Sequence, residues 1–126
     1  GPDLPATGFA IGFDRLAEIA GVSAAGLQPR PELFMAALGS QSRALAFDWA
    51  CRLGRDGVRV EMELGEKSLK GQMKTADRLG AAHVLMIGET ELSDRAALLR
   101  NMQTKEQVRV PFDGLVERIK AILNAR

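Results

Sequence analysis

Short apolar runs and helical repeats alternate along the chain from residue 33 onward. Leu33 to Leu38 form a continuous apolar run that ends at Gly39, and His83 to Ile87 form another that ends at Gly88. Apolar runs of this length bounded by glycine are typical of buried strands. Val58 to Leu64 instead alternates apolar with charged residues, which predicts a third strand that has one face in water and is less buried than the other two.

Helical repeats separate and follow these strands. The predicted helices run from Ser40 or Gln41 to about Arg55, from Ser68 to Leu79, and from about Phe112 onward. Two further strands, Ala96 to Arg100 and Gln107 to Val110, flank a polar stretch suited to a hairpin connection. This order of elements predicts an α/β fold whose first three strands are parallel and joined by right-handed crossovers.

The first 30 residues have a different composition from the rest. They are rich in Gly, Ala and Pro, with an apolar stretch from Gly8 to Phe13 and a helix-like run from Arg15 to Ala20. Pro29 and Pro31 bracket Arg30 and bias it toward an extended conformation. We therefore predict a division between residues 1–29, too short for a domain, and a folded unit at residues 30–126.

Composition excludes several classes of protein. With 46% hydrophobic and 26% charged residues, the 126-residue chain resembles an ordinary globular domain. No apolar run approaches the roughly 20 residues of a membrane span, and no signal-peptide pattern is present, so we expect a cytoplasmic location and no membrane partner. Cys51 is the single cysteine and His83 the single histidine, so neither an internal disulfide nor a four-ligand zinc site is expected.

The net charge of +1 hides a segregated charge distribution. Residues 1–66 carry six cations against nine anions, whereas residues 67–109 carry eight against five. Four of these cations, Lys67, Lys70, Lys74 and Arg78, fall within about 80° of one another on a helical projection. Such a stripe is either a solvated helix face or a surface that tracks the phosphates of a nucleic acid.

The hairpin region extends the basic surface. Arg100 and Lys105 add cations there, and Asn101 offers an amide that can read base edges. Aromatic side chains are scarce in this part of the chain, so recognition of RNA would depend on hydrogen bonds and arginine stacking.

The candidates for catalysis are weak. His83 lies at the start of an apolar strand and is expected to be structural, and Cys51 is expected in or near the core. Glu89 and Glu91 follow a strand end, but two carboxylates alone are weak evidence of acid–base chemistry. The turn from Gly39 to Ser42 lacks both phosphate-loop motifs, so we expect it to cap a helix. No self-sufficient enzyme site is predicted between residues 33 and 126.

Four segments resemble one enzyme family, in the order in which that family has them. Gly8-Phe-Ala-Ile-Gly-Phe-Asp-Arg-Leu16 resembles motif 3 of class II aminoacyl-tRNA synthetases, in the form found in histidyl-tRNA synthetases. Three further segments resemble the C-terminal anticodon-binding domain of the same enzymes: Leu64 to Gly80, Val84 to Glu89 and Leu99 to Gln107. The resemblance covers nearly the whole chain.

The resemblance implies a fold and a partner. It implies a three-layer domain with a mixed sheet of about five strands and three helices, preceded by a short remnant of a catalytic domain. The partner would be the anticodon stem-loop of histidine tRNA rather than DNA. The tRNA-binding residues would be Lys67, Lys70, Lys74, Arg78, Glu89, Arg100, Asn101 and Lys105.

The same resemblance implies what a parent enzyme would do. That enzyme would be a homodimer that attaches histidine to its tRNA with ATP and Mg²⁺, with Arg15, Gly8 and Gly12 near the ATP. Motifs 1 and 2 and the histidine-binding segments are not found in these 126 residues, so we expect the chain alone to be inactive and to need no cofactor. The sequence departs from the family at Glu66 and Lys105, where glycine is common.

Two other functions stay open at this point. One is a regulatory or accessory module that keeps the synthetase fold but binds a protein or another RNA. The other is a flavodoxin-like domain that binds a small ligand at the turn from Gly39 to Ser42.

Overall fold

A five-stranded mixed sheet organises the chain. The computed structural model describes residues 1–21 and 29–125. The strands are β1 (Leu33–Ala37), β2 (Val60–Met62), β3 (His83–Ile87), β4 (Ala96–Asn101) and β5 (Gln107–Pro111). The helices are α1 (Phe13–Ile19), α2 (Ser40–Arg55), α3 (Leu69–Leu79), α4 (Glu89–Asp94) and α5 (Leu115–Asn124). In space the strand order is β2-β1-β3-β4-β5.

The strand directions are those expected of an α/β fold with an added hairpin. β1 pairs in parallel with both β2 and β3, with Leu33 opposite Val60 on one side and His83 on the other. β4 runs antiparallel to β3, and β5 antiparallel to β4. The predicted α/β class, the mixed five-stranded sheet and the parallel first three strands are therefore confirmed.

Side chains of β1 fill a separate apolar core on each face of the sheet. Leu33 and Met35 pack in a cluster that includes Leu53 of α2 and Ile119 of α5. The intervening Phe34 points to the opposite face, into a smaller cluster with side chains of α3. Because successive strand residues point to opposite faces, one buried strand supports helices on both sides, which gives the three layers.

The ends of α3 follow the sequence signals. The hydroxyl of Ser68 accepts a hydrogen bond from the backbone N–H of Gly71 at 3.2 Å, and Gly80 ends the helix with φ of 68°. α2 differs, because it begins after Gly39 without any side-chain cap. The capping role predicted for the turn from Gly39 to Ser42 is therefore wrong, and Ser42 is instead fully buried.

Several predicted element boundaries need correction. Residues 30–125 contain four helices rather than three, because Glu89–Asp94 forms α4, too short to produce a helical repeat in the sequence. β2 has only three residues, and it is less buried than β1 and β3, as its alternation predicted. α5 begins at Leu115 because Phe112 accepts a turn hydrogen bond and Gly114 has φ of 68°.

Residues 1–21 form one short helix without a core of their own. α1 agrees with the helix-like run predicted near Arg15, but every residue from 1 to 21 is exposed, including Phe9 at 89%. Residues 22–28, part of the predicted linker, lie outside the described residues, and the division at residues 29–30 stays a prediction. In the described part of the chain, no helix has the length and apolar character to span a membrane.

Candidate nucleic-acid interface

The predicted basic stripe divides into two groups in the structure. Lys70, Lys74 and Arg78 lie on α3, but Lys67 precedes the Ser68 cap and is not part of the helix. Its predicted place on the helical projection is therefore wrong, because the cap sets the first helical residue at Leu69. Lys70 and Lys74 face β4, whereas Lys67 and Arg78 lie beside Glu63, just beyond β2.

Glu63 pairs with the first of these cations. The ammonium of Lys67 lies 2.5 Å from a carboxylate oxygen of Glu63, and the backbone N–H of Gly65 donates to the same carboxylate at 3.2 Å. The hydrogen bonds from Lys67 and Gly65, with a smaller contribution from the charge of Arg78, hold the pKa of Glu63 below its ordinary value. Lys67 is therefore held by Glu63, a pairing that the spacing of four residues does not predict, because residues 63–68 are not helical.

A groove between α3 and the end of β4 gathers four of the predicted tRNA-binding residues. Its volume is about 520 Å³. Cations surround it, namely Lys70, Lys74, Arg100 and Lys105. The remaining lining residues are apolar except for one carboxylate, and they are Leu69, Met73, Met102 and Asp77. The groove thus combines a positive potential with an apolar floor.

Arg100 has an unusual environment within this groove. It lies on β4, opposite Val84 on one side and Gln107 on the other, so the sheet fixes its backbone. Its Nε is buried and has no hydrogen-bond partner. A buried donor without a partner carries a desolvation cost, which distinguishes Arg100 from the exposed lysines around it.

The turn from Asn101 to Glu106 brings Lys105 to the groove. The side-chain oxygen of Asn101 accepts from the backbone N–H groups of Gln103 at 2.8 Å and Thr104 at 3.0 Å. Its amide nitrogen lies 3.4 Å from Nε2 of His83, which is 7% exposed. The Asn101 amide thus has partners within the domain at both ends, and its predicted contact with tRNA bases stays a prediction.

Lys105 adopts a backbone conformation that is uncommon for its residue type. Its φ is 66°, in the left-handed region, and its ammonium donates to the carbonyl of Met102 at 2.5 Å. Glycine takes this conformation without strain, which gives a physical reason for the glycine common here in the resembled family.

Glu89 lies at another part of the sheet. It is the exposed first residue of α4, just beyond the carboxyl end of β3, whereas Arg100 pairs with Val84 near the start of that strand. The neighbouring Glu91 accepts from the backbone N–H of Gly88 at 2.9 Å, which gives its carboxylate a structural role. The groove therefore does not bring Glu89 together with the four cations.

The remaining candidates are outside the groove. His83 is buried as expected of a structural residue, whereas Cys51 is exposed, so its predicted place near the core is wrong. Gly8, Gly12 and Arg15, predicted to lie near ATP, are all exposed in residues 1–21. Among the described residues, no group of three His, Cys, Asp or Glu side chains could hold a metal ion.

Comparison with known proteins defines the class of this domain. Residues 33–122 match the family described as the anticodon binding domain, and the chain belongs to that family. It is 50% identical over 124 residues to a histidine–tRNA ligase of Desulfatibacillum aliphaticivorans, a match that covers 98% of this chain and 30% of the relative. A histidine–tRNA ligase of Geobacter sulfurreducens is 45% identical over 112 residues, covering 89% and 27% of the two chains.

A solved structure agrees with this result. The apo histidyl-tRNA synthetase of S. aureus superimposes with a TM-score of 0.68 and 31% identity, over 83% of this chain and 27% of that one. The predicted resemblance to histidyl-tRNA synthetases and the anticodon-binding fold are confirmed. The chain spans about 30% of the length of the relative from Desulfatibacillum aliphaticivorans and 27% of that from Geobacter sulfurreducens.

Proposed function

We propose that this chain is the anticodon-binding part of a histidyl-tRNA synthetase and binds the anticodon stem-loop of histidine tRNA. The observation that carries this proposal is the groove, where Arg100 and three lysines surround an apolar floor. Membership in the anticodon binding domain family supports it independently.

The groove is suited to a single-stranded loop more than to a duplex. Lysines at the rim attract phosphates without needing one fixed geometry, so they supply affinity. The apolar floor of Leu69, Met73 and Met102 can cover the face of an unstacked base, and such bases occur in RNA loops. Arg100 can donate to a base edge or a phosphate, and it is the candidate for sequence recognition.

The activity proposed for the whole enzyme is the ATP- and Mg²⁺-dependent attachment of histidine to its tRNA by a cytoplasmic homodimer. Arg15 presents an exposed cation that suits the ATP phosphates and would stabilise charge during adenylate formation. Gly8 and Gly12, which lack a Cβ, would allow the nucleotide to approach the backbone closely. The 126 residues alone are proposed to be inactive.

Titration with RNA tests the proposal. The chain is titrated with the histidine anticodon stem-loop and with a stem-loop whose loop is scrambled, each at two salt concentrations. We expect tighter binding of the native loop and weaker binding at higher salt. Equal affinity for the two loops would contradict the proposal and favour an accessory module that binds another partner.

Charge reversal then locates the surface. Replacing Lys70 and Lys74 by Glu should weaken binding at least tenfold, because two phosphate contacts are lost and two repulsions are added. The matched control reverses Arg55 and Arg118, exposed cations on α2 and α5, which pack on the opposite face of the sheet from α3. The control variant should bind RNA with the affinity of the unmodified chain. Equal losses of affinity in the two charge-reversal variants would show that the groove is not the specific contact surface.

A further inference from the structure

The edge of β1 extends beyond its neighbour β2. β2 pairs only with Leu33, Phe34 and Met35, so the last residues of β1 have no strand on that side. The backbone N–H of Leu38 donates to Ile87 on the β3 side. Since backbone groups of successive strand residues point in opposite directions, the N–H and C=O of Ala37 point toward the missing continuation of β2.

The side chain of Gln72 takes the place of that missing strand. Its Oε1 accepts from the N–H of Ala37 at 3.1 Å, and its Nε2 donates to the carbonyl of Ala37 at 2.9 Å. The same Nε2 donates to the carbonyl of Lys67, also at 2.9 Å. Gln72 is 1% exposed, and both of its donors and its acceptor have partners.

Lys67 is consequently held at two points. Gln72 ties its backbone to the end of β1, and Glu63 binds its ammonium. We infer that Gln72 is a positioning residue for RNA binding, which acts by fixing Lys67 at the surface before RNA arrives. The inference rests on the proposed function at one point, namely that Lys67 contacts RNA. Preorganisation of this kind lowers the conformational entropy lost on binding.

The first test needs no RNA. The Glu63 carboxyl is titrated by carbon-detected NMR in the unmodified chain and in Gln72→Met, which keeps the length of the side chain but has no amide. We expect the Glu63 midpoint to rise toward its ordinary value in the variant, because Lys67 is no longer held against the carboxylate. An unchanged midpoint would overturn the inference.

Two controls separate positioning from loss of stability. Val116→Ala opens a cavity in the core on the other face of the sheet, so it lowers stability without contacting Gln72, and it should leave the Glu63 midpoint unchanged. Gln41→Met makes the same chemical change at an exposed position and should also leave it unchanged. If Gln72→Met does not fold, hydrogen exchange of the Gln72 side-chain amide protons is measured in the unmodified chain instead. They should exchange more slowly than those of Gln41, and equal rates would overturn the inference.

The second test joins Gln72 to RNA binding through a double-mutant cycle. Loss of one phosphate contact should weaken binding about fivefold at 0.15 M salt. We expect this fivefold loss in Lys67→Met and in Gln72→Met. The double variant should lose no more than either single variant. Losses that multiply would show that Gln72 does not act through Lys67. If the unmodified chain binds no RNA, the proposed function fails, and the Glu63 titration still decides the position of Lys67.

Discussion

The backbone N–H of Lys105 donates to the carbonyl of Asn101 at 3.0 Å, and Lys105 completes this turn with φ of 66°. A side chain in the left-handed region costs on the order of 1 kcal/mol, because its Cβ crowds the backbone. The chain thus places a cation beside the groove at a position where glycine would be more stable. Charge and backbone strain at this residue can be separated by mutation.

Lys105→Gly and Lys105→Gln test this separation. Both variants remove the cation, but only glycine relieves the strain, so we expect Lys105→Gly to be more stable than Lys105→Gln by about 1 kcal/mol. Both should bind the anticodon stem-loop about fivefold more weakly than the unmodified chain at 0.15 M salt. Urea denaturation and RNA titration measure the two effects. Equal stability of the two variants would show that the turn relaxes around a side chain.

Asn101 should stabilise the same turn through its side-chain oxygen. Asn101→Ala leaves the N–H groups of Gln103 and Thr104 without their acceptor, and we expect a loss of about 1–2 kcal/mol in the free energy of unfolding. Asn101→Asp keeps an oxygen in the same place and should recover most of that loss at neutral pH. If both variants lose the same amount, the contact with His83 is the more important one.

The buried strands could be predicted from sequence because their signals are local. Leu33–Ala37 and His83–Ile87 have apolar side chains on both faces, and Ser68 and Gly80 mark the ends of α3 with known cap chemistry. The four groove cations could be named individually. Their arrangement could not be predicted, because it depends on how α3 packs across β4.

Other features depend on relationships between distant segments. The role of Gln72 follows from the difference in length between β1 and β2, which no pattern within α3 records. Cys51 lies two positions, or about 200° of helical rotation, from the buried Trp49, so the apolar repeat of α2 already indicates an exposed position for it. The spacing of Lys67 from Lys70 and Lys74 predicts a helical position for it, but the Ser68 cap excludes it from α3.

The pairing of Glu63 with Lys67 should make stability depend on acidity. The pKa of Glu63 is lower in the folded chain than its ordinary value of 4.5, mainly because of the hydrogen bond from Lys67. The stabilisation is therefore complete above that ordinary value and is lost as the pH falls through the lower, folded pKa. Glu63→Gln has no carboxylate to protonate, so its stability should fall less on acidification than that of the unmodified chain.

Urea denaturation at a series of pH values between 7 and 3 measures this difference. The unmodified chain should be the more stable above pH 5, and the two stabilities should converge as the pH decreases. Lys67→Met removes the partner instead of the acid and should reduce the pH dependence in the same way. Parallel curves for all three proteins would show that the ion pair does not contribute to folding.

Two serines at the starts of neighbouring helices should respond to alanine in opposite ways. Ser68 caps α3 by accepting from Gly71 at 3.2 Å, and Ser68→Ala should lower the free energy of unfolding by about 1 kcal/mol. Ser42, in the first turn of α2, is fully buried and its hydroxyl has no hydrogen-bond partner. Ser42→Ala removes a desolvated hydroxyl, so stability should stay the same or rise by up to about 1 kcal/mol. The urea midpoints of the two variants, at unchanged m-value, measure this difference. A loss of stability in Ser42→Ala as large as that in Ser68→Ala would show that the Ser42 hydroxyl is hydrogen-bonded.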